Sequence, residues 1–188
     1  VADQVGEAEG QVARVLGGKP EFSAARAVAG EASLAVATLP AGKVPRYQSV
    51  FDAAARAILT AEPEDVRKAG ELDFGAAAET RVGCFDGLAL TVRALKAKDG
   101  NWVTIAAAAG DPVPRADAPP ETPQPEDVAA EAERLNGRLG GWAFKVSDYV
   151  YGELAKGLAD YVQDEKPAAG ATPAPGAQPQ SRTETDDE

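Results

Sequence analysis

From Glu79 to Ala109 the chain reads ETRVGCFDGLALTVRALKAKDGNWVTIAAAA, and two turn signals divide it into three strand-like runs. The runs carry Val82, Leu88, Leu90, Val92, Trp102, Val103 and Ile105, residues that suit a half-buried pleated surface. Asp86-Gly87, between Phe85 and Leu88, has the composition of a two-residue type I′ turn, in which both central residues need positive φ. Asp99-Gly100-Asn101 supplies a second, looser turn before Trp102. The stretch reads as a three-stranded antiparallel meander.

Elsewhere the period changes. Tyr47, Val50, Phe51, Ala54, Ala57 and Ile58 form one apolar stripe at helical spacing, with Pro45 just ahead of it. Glu62-Pro63-Glu64-Asp65 closes that helix, and Asp65-Val66 leads through a bend towards the meander, with Leu72 and Phe74 as anchors. Residues 111–125 are Pro-rich and acidic, which excludes a strand or helix there. Val128, Ala132, Leu135 and Leu139 mark a helix over 126–139 that Gly140-Gly141 stops. Residues 142–146 alternate as a short strand. Ser147 is the N-cap of a last helix over 148–162, with Tyr151, Leu154, Leu158 and Tyr161 on one stripe.

The N-terminal part patterns weakly. Residues 11–16 fit a short strand or a helical turn, broken by Gly17-Gly18-Lys19-Pro20, and 32–39 suit a strand ended by Pro40-Ala41-Gly42. The expected fold is therefore α+β. An antiparallel sheet built on the meander, extended by strands near 32–39 and 142–146, carries helices near 46–60, 126–139 and 148–162 on one face. Residues 1–30 read as the remainder of a truncated domain, 31–163 as a single α+β domain, and 164–188 as a disordered tail. That tail has two basic and six acidic residues, hence −4, and no apolar side chain larger than Ala or Pro. It cannot bury enough surface to offset its ordering entropy.

Charge narrows the partners. A net charge of −11 repels nucleic acid phosphates and anionic lipid surfaces. No run approaches the roughly 18 consecutive apolar residues of a membrane span. Val1-Ala2-Asp3-Gln4 lacks the basic start and apolar centre of a signal peptide, and methionine is absent, position 1 included, so a fragment of a longer chain is expected. Histidine is absent as well, which removes the usual general base near pH 7 and the commonest metal ligand. The one cysteine, Cys84, has no partner for an internal disulfide.

Candidate chemistry is correspondingly sparse. Asp86 and Asp99 both precede glycine, where turn chemistry explains a carboxylate better than catalysis does. Cys84 reads as a packed strand thiol. Trp102, Trp142, Phe144 and Tyr149 could form an aromatic binding platform, though their spacing is that of core packing. Arg81, Arg93, Lys96 and Lys98 cluster on the meander, as on a solvated face or a protected edge. The candidate interaction surface is thus Arg81, Arg93, Trp102, Trp142 and Tyr149. No motif calls for a catalytic residue, cofactor or metal.

Three blocks, in order, resemble a known family. They are Phe85-Asp86-Gly87-Leu88 with Thr91-Val92-Arg93, Asp99-Gly100 and Trp102-Val103; then Leu135-Asn136, Arg138-Leu139 and Gly141-Trp142-Ala143-Phe144; then Asp148-Tyr149 with Leu154 and Leu158. A weaker fourth is Glu64-Asp65-Val66-Arg67. From about Val44 to Val162 the chain resembles the C-terminal part of the bacterial domain-of-unknown-function family 4340. Such proteins typically begin with a membrane anchor and project an extracytoplasmic region, and some accompany ABC-type transport systems and gliding-motility-like components. The family has no established activity or catalytic residue. This chain departs from its pattern in lacking the anchor and in having Ser147 where many relatives have proline.

The resemblance implies a non-catalytic, membrane-anchored, periplasmic accessory module with a protein partner in the cell envelope. Two other functions stay open: a small-ligand or peptide-binding module using the sheet face, and a carboxylate-dependent hydrolase.

Overall fold

A computed structural model describes residues 12–17, 22–26, 33–36, 38–112 and 125–165. Its elements, in chain order, are β1 (Val12–Gly17), β2 (Phe22–Ala25), β3 (Ala35–Val36), β4 (Lys43–Pro45), α1 (Ala53–Leu59), β5 (Asp65–Lys68) and β6 (Ala78–Cys84). There follow β7 (Leu88–Ala97), β8 (Gly100–Ala109), α2 (Pro125–Leu139), β9 (Trp142–Val146), α3 (Asp148–Ala155), α4 (Leu158–Tyr161) and β10 (Val162–Asp164). The fold is α+β. Eight strands form one antiparallel sheet in the order β3-β2-β1-β6-β7-β8-β9-β5, while β4 and β10 pair separately.

Strands β6, β7 and β8 pair in succession, with Val82 opposite Leu90 and Val92 opposite Ile105. The first connection differs from the expected type I′ turn, because among the described residues no non-glycine has positive φ. Instead Gly87 N–H donates to the Cys84 carbonyl at 3.2 Å, and Gly87 alone takes the positive φ, 98°. This is a three-residue loop, a turn through Phe85 and Asp86 closed by a glycine. Asp86 Oδ1 accepts the Leu88 N–H at 2.9 Å. The second connection is tighter than expected, since Ala97 already pairs with Gly100 and only Lys98 and Asp99 lie between.

Period-two alternation gives the sheet two different faces. One face presents Val92, Ala94, Val103 and Val146 to Ala57 of α1 and to Val150 and Leu154 of α3. Further along it, Phe22, Phe51 and Tyr161 stack with ring centroids 5.2 to 6.0 Å apart. The alanines of α1 let it lie close to the strands, with Ala54, Ala55 and Ala57 all buried. Beside them Asp52 is buried, accepting from Arg26 Nη2 at 2.5 Å and from the Leu34 N–H at 3.2 Å. It therefore ties the end of β2 and the approach to β3 to the start of α1. Breaking such a buried pair costs about 3–5 kcal/mol.

Several expectations from sequence are corrected here. The helix expected over 46–60 begins only at Ala53, after a 3-10 turn over Val50–Asp52, and Tyr47 is exposed. The helix expected over 148–162 breaks at Lys156-Gly157, both extended. Asp160 Oδ2 accepts the Gly157 N–H at 2.9 Å and restarts the chain as α4. Asp65-Val66, expected to lead through a bend, instead opens an edge strand over 65–68, with Val66 opposite Phe144. The strand expected over 32–39 contracts to Ala35–Val36, and the ambiguous 11–16 becomes β1.

Helices α1 and α3 share one face of the sheet. Helix α2 packs against β8, where β9 has stopped pairing: the β8–β9 register ends at Val103 opposite Phe144. Asp164, expected to start the tail, closes β10 and bonds Lys43 at 2.6 Å. The remaining tail 166–188, most of the proline-rich loop and residues 1–11 lie outside the described residues.

Candidate functional site

On the sheet face opposite α1 and α3, the short segment 69–77 is what covers the strands among the described residues. Two 3-10 turns shape it, Ala69–Glu71 and Phe74–Ala76, the second capped by Asp73 Oδ1 accepting the Gly75 N–H at 2.9 Å. Beyond this cover lies an open groove of about 600 Å³. Arg93, Thr91, Thr104 and Ala106 form its floor, with Arg93 opposite Thr104 and Thr91 opposite Ala106 across the β7–β8 pair. Leu72 and Phe74 wall one side, and Leu139, Gly140, Gly141 and Trp142 the other.

The polar groups of the groove are held in place. Arg93 Nη2 donates to the Phe74 carbonyl at 2.5 Å, and its guanidinium lies 6.0 Å from the Phe74 ring. Lys68 Nζ sits 3.6 Å over the Trp142 ring. Asn136 Oδ1 accepts the Ala107 N–H at 2.8 Å, and its Nδ2 donates to the Ala107 carbonyl at 2.7 Å. That carboxamide does for β8 what a neighbouring strand would do. A smaller concavity of about 400 Å³ beside β3 is lined, among the described residues, by Leu34, Val36, Leu39 and Phe51 with Ser33 and Gln48.

Of the residues singled out from sequence, Arg93 and Trp142 line the groove. Trp102 is wholly buried beneath the 69–77 cover, beside Phe74 and Ala143. Its Nε1 donates to Asp99 Oδ1 at 3.2 Å, the Arg67 guanidinium lies 3.8 Å over its ring, and Arg67 bonds Asp99 at 2.7 Å. Arg81 is exposed and pairs with Glu79 on its own strand. Tyr149 is exposed on α3, which covers the opposite face, and Phe144 packs in the core there. Lys96 and Lys98 are exposed. The aromatic residues are thus distributed over both faces rather than gathered in one platform.

The titratable candidates are explained by their surroundings. Burial, reinforced by the Asp86 charge, pushes the Cys84 thiol up to about 12. A thiol so raised holds almost no thiolate near pH 7 and is a poor nucleophile. Partial dehydration raises the Asp99 carboxyl, but hydrogen bonds from Trp102, its own backbone and Arg67 outweigh it and hold Asp99 below the ordinary range. Burial foremost also raises the Tyr161 phenol, whose O–H donates to the Glu153 carbonyl at 3.1 Å.

Thr91, Thr104 and Asn136 are not among the candidate site residues read from sequence, although Thr91 and Asn136 stand in the blocks quoted for the resemblance. The two threonines occupy strand positions on the face turned away from Val92 and Val103, and Asn136 stands beside Leu135 at the edge of a helical stripe. Each departs from the apolar pattern around it, which was the available signal. Among the described residues no group of three or more acidic or cysteine side chains is placed to hold a metal ion, and no helix is long and apolar enough to cross a membrane. Comparison with known proteins finds no matching family model, curated protein or solved structure.

Proposed function

We propose that this chain is a non-catalytic interaction module whose binding surface is the groove between the 69–77 segment and the α2–β9 junction. The observation that carries this reading is the groove's build: a hydrogen-bonding floor of Thr91, Arg93 and Thr104 between apolar walls. Few polar groups placed among apolar ones is the usual make-up of a recognition site. Strand addition at the β5 edge is disfavoured, because Asp65 Oδ1 already accepts the Val66 N–H at 2.8 Å and Arg67 and Lys68 charge that strand. The resemblance of its sequence blocks to family 4340 supports a partner in the bacterial envelope, on the extracytoplasmic side and beside a transporter.

The hydrolase reading is weaker on geometry. Asp86 and Asp99 stand at opposite ends of β7, whose ten residues span about 30 Å. Paired catalytic carboxylates work within about 10 Å of each other. The binding proposal is tested by panning the purified chain against a displayed library of random linear peptides. Enriched peptides should lose binding to Ala106→Trp, which fills the groove floor, and keep it with Arg81→Ala. Peptides that bind Ala106→Trp unchanged, or no enrichment at all, would overturn it.

A further inference from the structure

Asn136 is followed by Gly137 in the last turn of α2, and both are exposed to water. Before glycine, the next main-chain nitrogen reaches an asparagine carboxamide with least hindrance, because glycine has no Cβ and takes unusual backbone angles freely. Here the carboxamide is also the clamp on β8. Its Oδ1 accepts the Ala107 N–H at 2.8 Å, and its Nδ2 donates to the Ala107 carbonyl at 2.7 Å. The first of these bonds draws electron density from Cγ, as a donor aimed at a developing oxyanion does.

Glycine also weakens this end of α2 as a helix, being the poorest helix former after proline. Gly137, Gly140 and Gly141 stand together there. Two of them answer to geometry. A Cβ at Gly140 would lie 2.5 Å from the Asn136 carbonyl oxygen, and Gly141 has a φ of 76°. Gly137 is different: a Cβ there meets nothing within 4 Å, and its φ is not positive. Neither packing nor backbone angle requires glycine at 137. Its consequence is chemical, since it exposes the Asn136 carboxamide to attack whenever the last turn frays.

We infer that Asn136 is a site of spontaneous deamidation, and that its conversion releases the end of α2 from β8. With the turn open, the Gly137 nitrogen, its proton lost to solvent, bonds to Asn136 Cγ. The Cγ–Nδ2 bond breaks, and Nδ2 leaves as ammonia, taking a proton from solvent. The product is a five-membered succinimide. Water adds to either ring carbonyl and reopens it as aspartate or isoaspartate, with no change of oxidation state. Aspartate has lost the Nδ2 donor, so a carboxylate oxygen faces the Ala107 carbonyl oxygen. Isoaspartate carries the main chain through Cβ, one methylene longer, which the regular spacing of an α-helix does not accommodate. Asn136 lines the groove as well, so the conversion alters that wall whether or not a peptide binds there.

The test is peptide mapping by mass spectrometry of the full chain, aged at mildly alkaline pH beside the free peptide Arg134–Leu139. Asn136 should convert to a mixture of aspartate and isoaspartate, about tenfold more slowly than in the peptide because the turn must open first. Gly137→Ala, which meets no steric conflict, should keep the fold and slow the conversion by about a further tenfold or more. Hydrogen exchange by ¹⁵N NMR on the chromatographically separated isoaspartate form should be about tenfold faster at Ala107 than in the fresh chain, and unchanged at Val103. Conversion no faster than in Gly137→Ala, or yielding aspartate alone, would overturn the assignment of the site. Conversion that leaves Ala107 exchange unchanged would overturn the release of α2.

Discussion

The two faces of the sheet are completed by different means. Under α1 and α3 the strands meet aliphatic side chains, and Val92, Val103, Val150 and Leu154 are all nearly inaccessible. On the other face the buried centre is Trp102, held by Arg67 over its ring and Asp99 at its indole N–H. Both faces are supplied by the same strands, through alternate residues of β7 and β8. What differs is the length of chain brought to cover them. Helices extend over one face, whereas the 69–77 segment reaches only as far as Leu72 and Phe74 on the other. The groove begins where that cover ends, and the floor there carries Thr91, Arg93 and Thr104 instead of aliphatics. Alternate residues of the same strands thus end in a packed core on one face and line a groove on the other.

The comparison breaks if the second face is not a true core. Replacing Trp102 by alanine should cost about 3–5 kcal/mol, as loss of a buried tryptophan does. Chemical denaturation measures it, and an unchanged midpoint would mean that the Trp102 face contributes nothing to folding. A smaller effect is expected at the boundary of the groove. Asn136→Ala leaves the Ala107 N–H and carbonyl without their side-chain partner and should cost about 1–3 kcal/mol. Hydrogen exchange should show Ala107 losing protection while Val103, paired with β9, keeps its own. Equal protection at Ala107 in both proteins would show that the carboxamide does not seal the strand.

The smallest effect concerns the polar clasp around Trp102. The folded Asp99 carboxyl lies below its ordinary value, so its contribution is fully present above the unfolded-state value and disappears as pH falls through the folded one. The melting temperature of Asp99→Asn should therefore lie below that of the unsubstituted chain at pH 7. The difference should narrow as pH falls from about 4 downwards. A gap that stays constant down to pH 2 would show that the charge of Asp99 plays no part.

Much of this organisation was legible from local pattern. The runs around Asp86-Gly87 and Asp99-Gly100 did mark paired strands, because turn chemistry acts over a few residues. The form of those turns was not legible. Two-residue I′ geometry asks Asp86 for positive φ, and a longer loop lets Gly87 alone supply it. Residues 65–68 carry too few apolar positions to read as a strand, and they form one because β9 offers them a partner about 80 residues away in sequence. Of the candidate site, Arg93 and Trp142 were singled out among residues that went elsewhere, since nothing local distinguishes a groove aromatic from a core one.

By itself the sequence determined the α+β class, the α2 and β9 segments, and the strands either side of the two glycine turns, all set by interactions among near neighbours. Only the tertiary structure decided that Asp99 meets Trp102 and Arg67, that α2 stands in for a strand through Asn136, and that Arg93 and Trp142 share a groove. Those outcomes depend on contacts between residues tens of positions apart. They exist only once the chain has closed the loops that bring those residues together, at an entropic cost offset by the whole core rather than by any one segment.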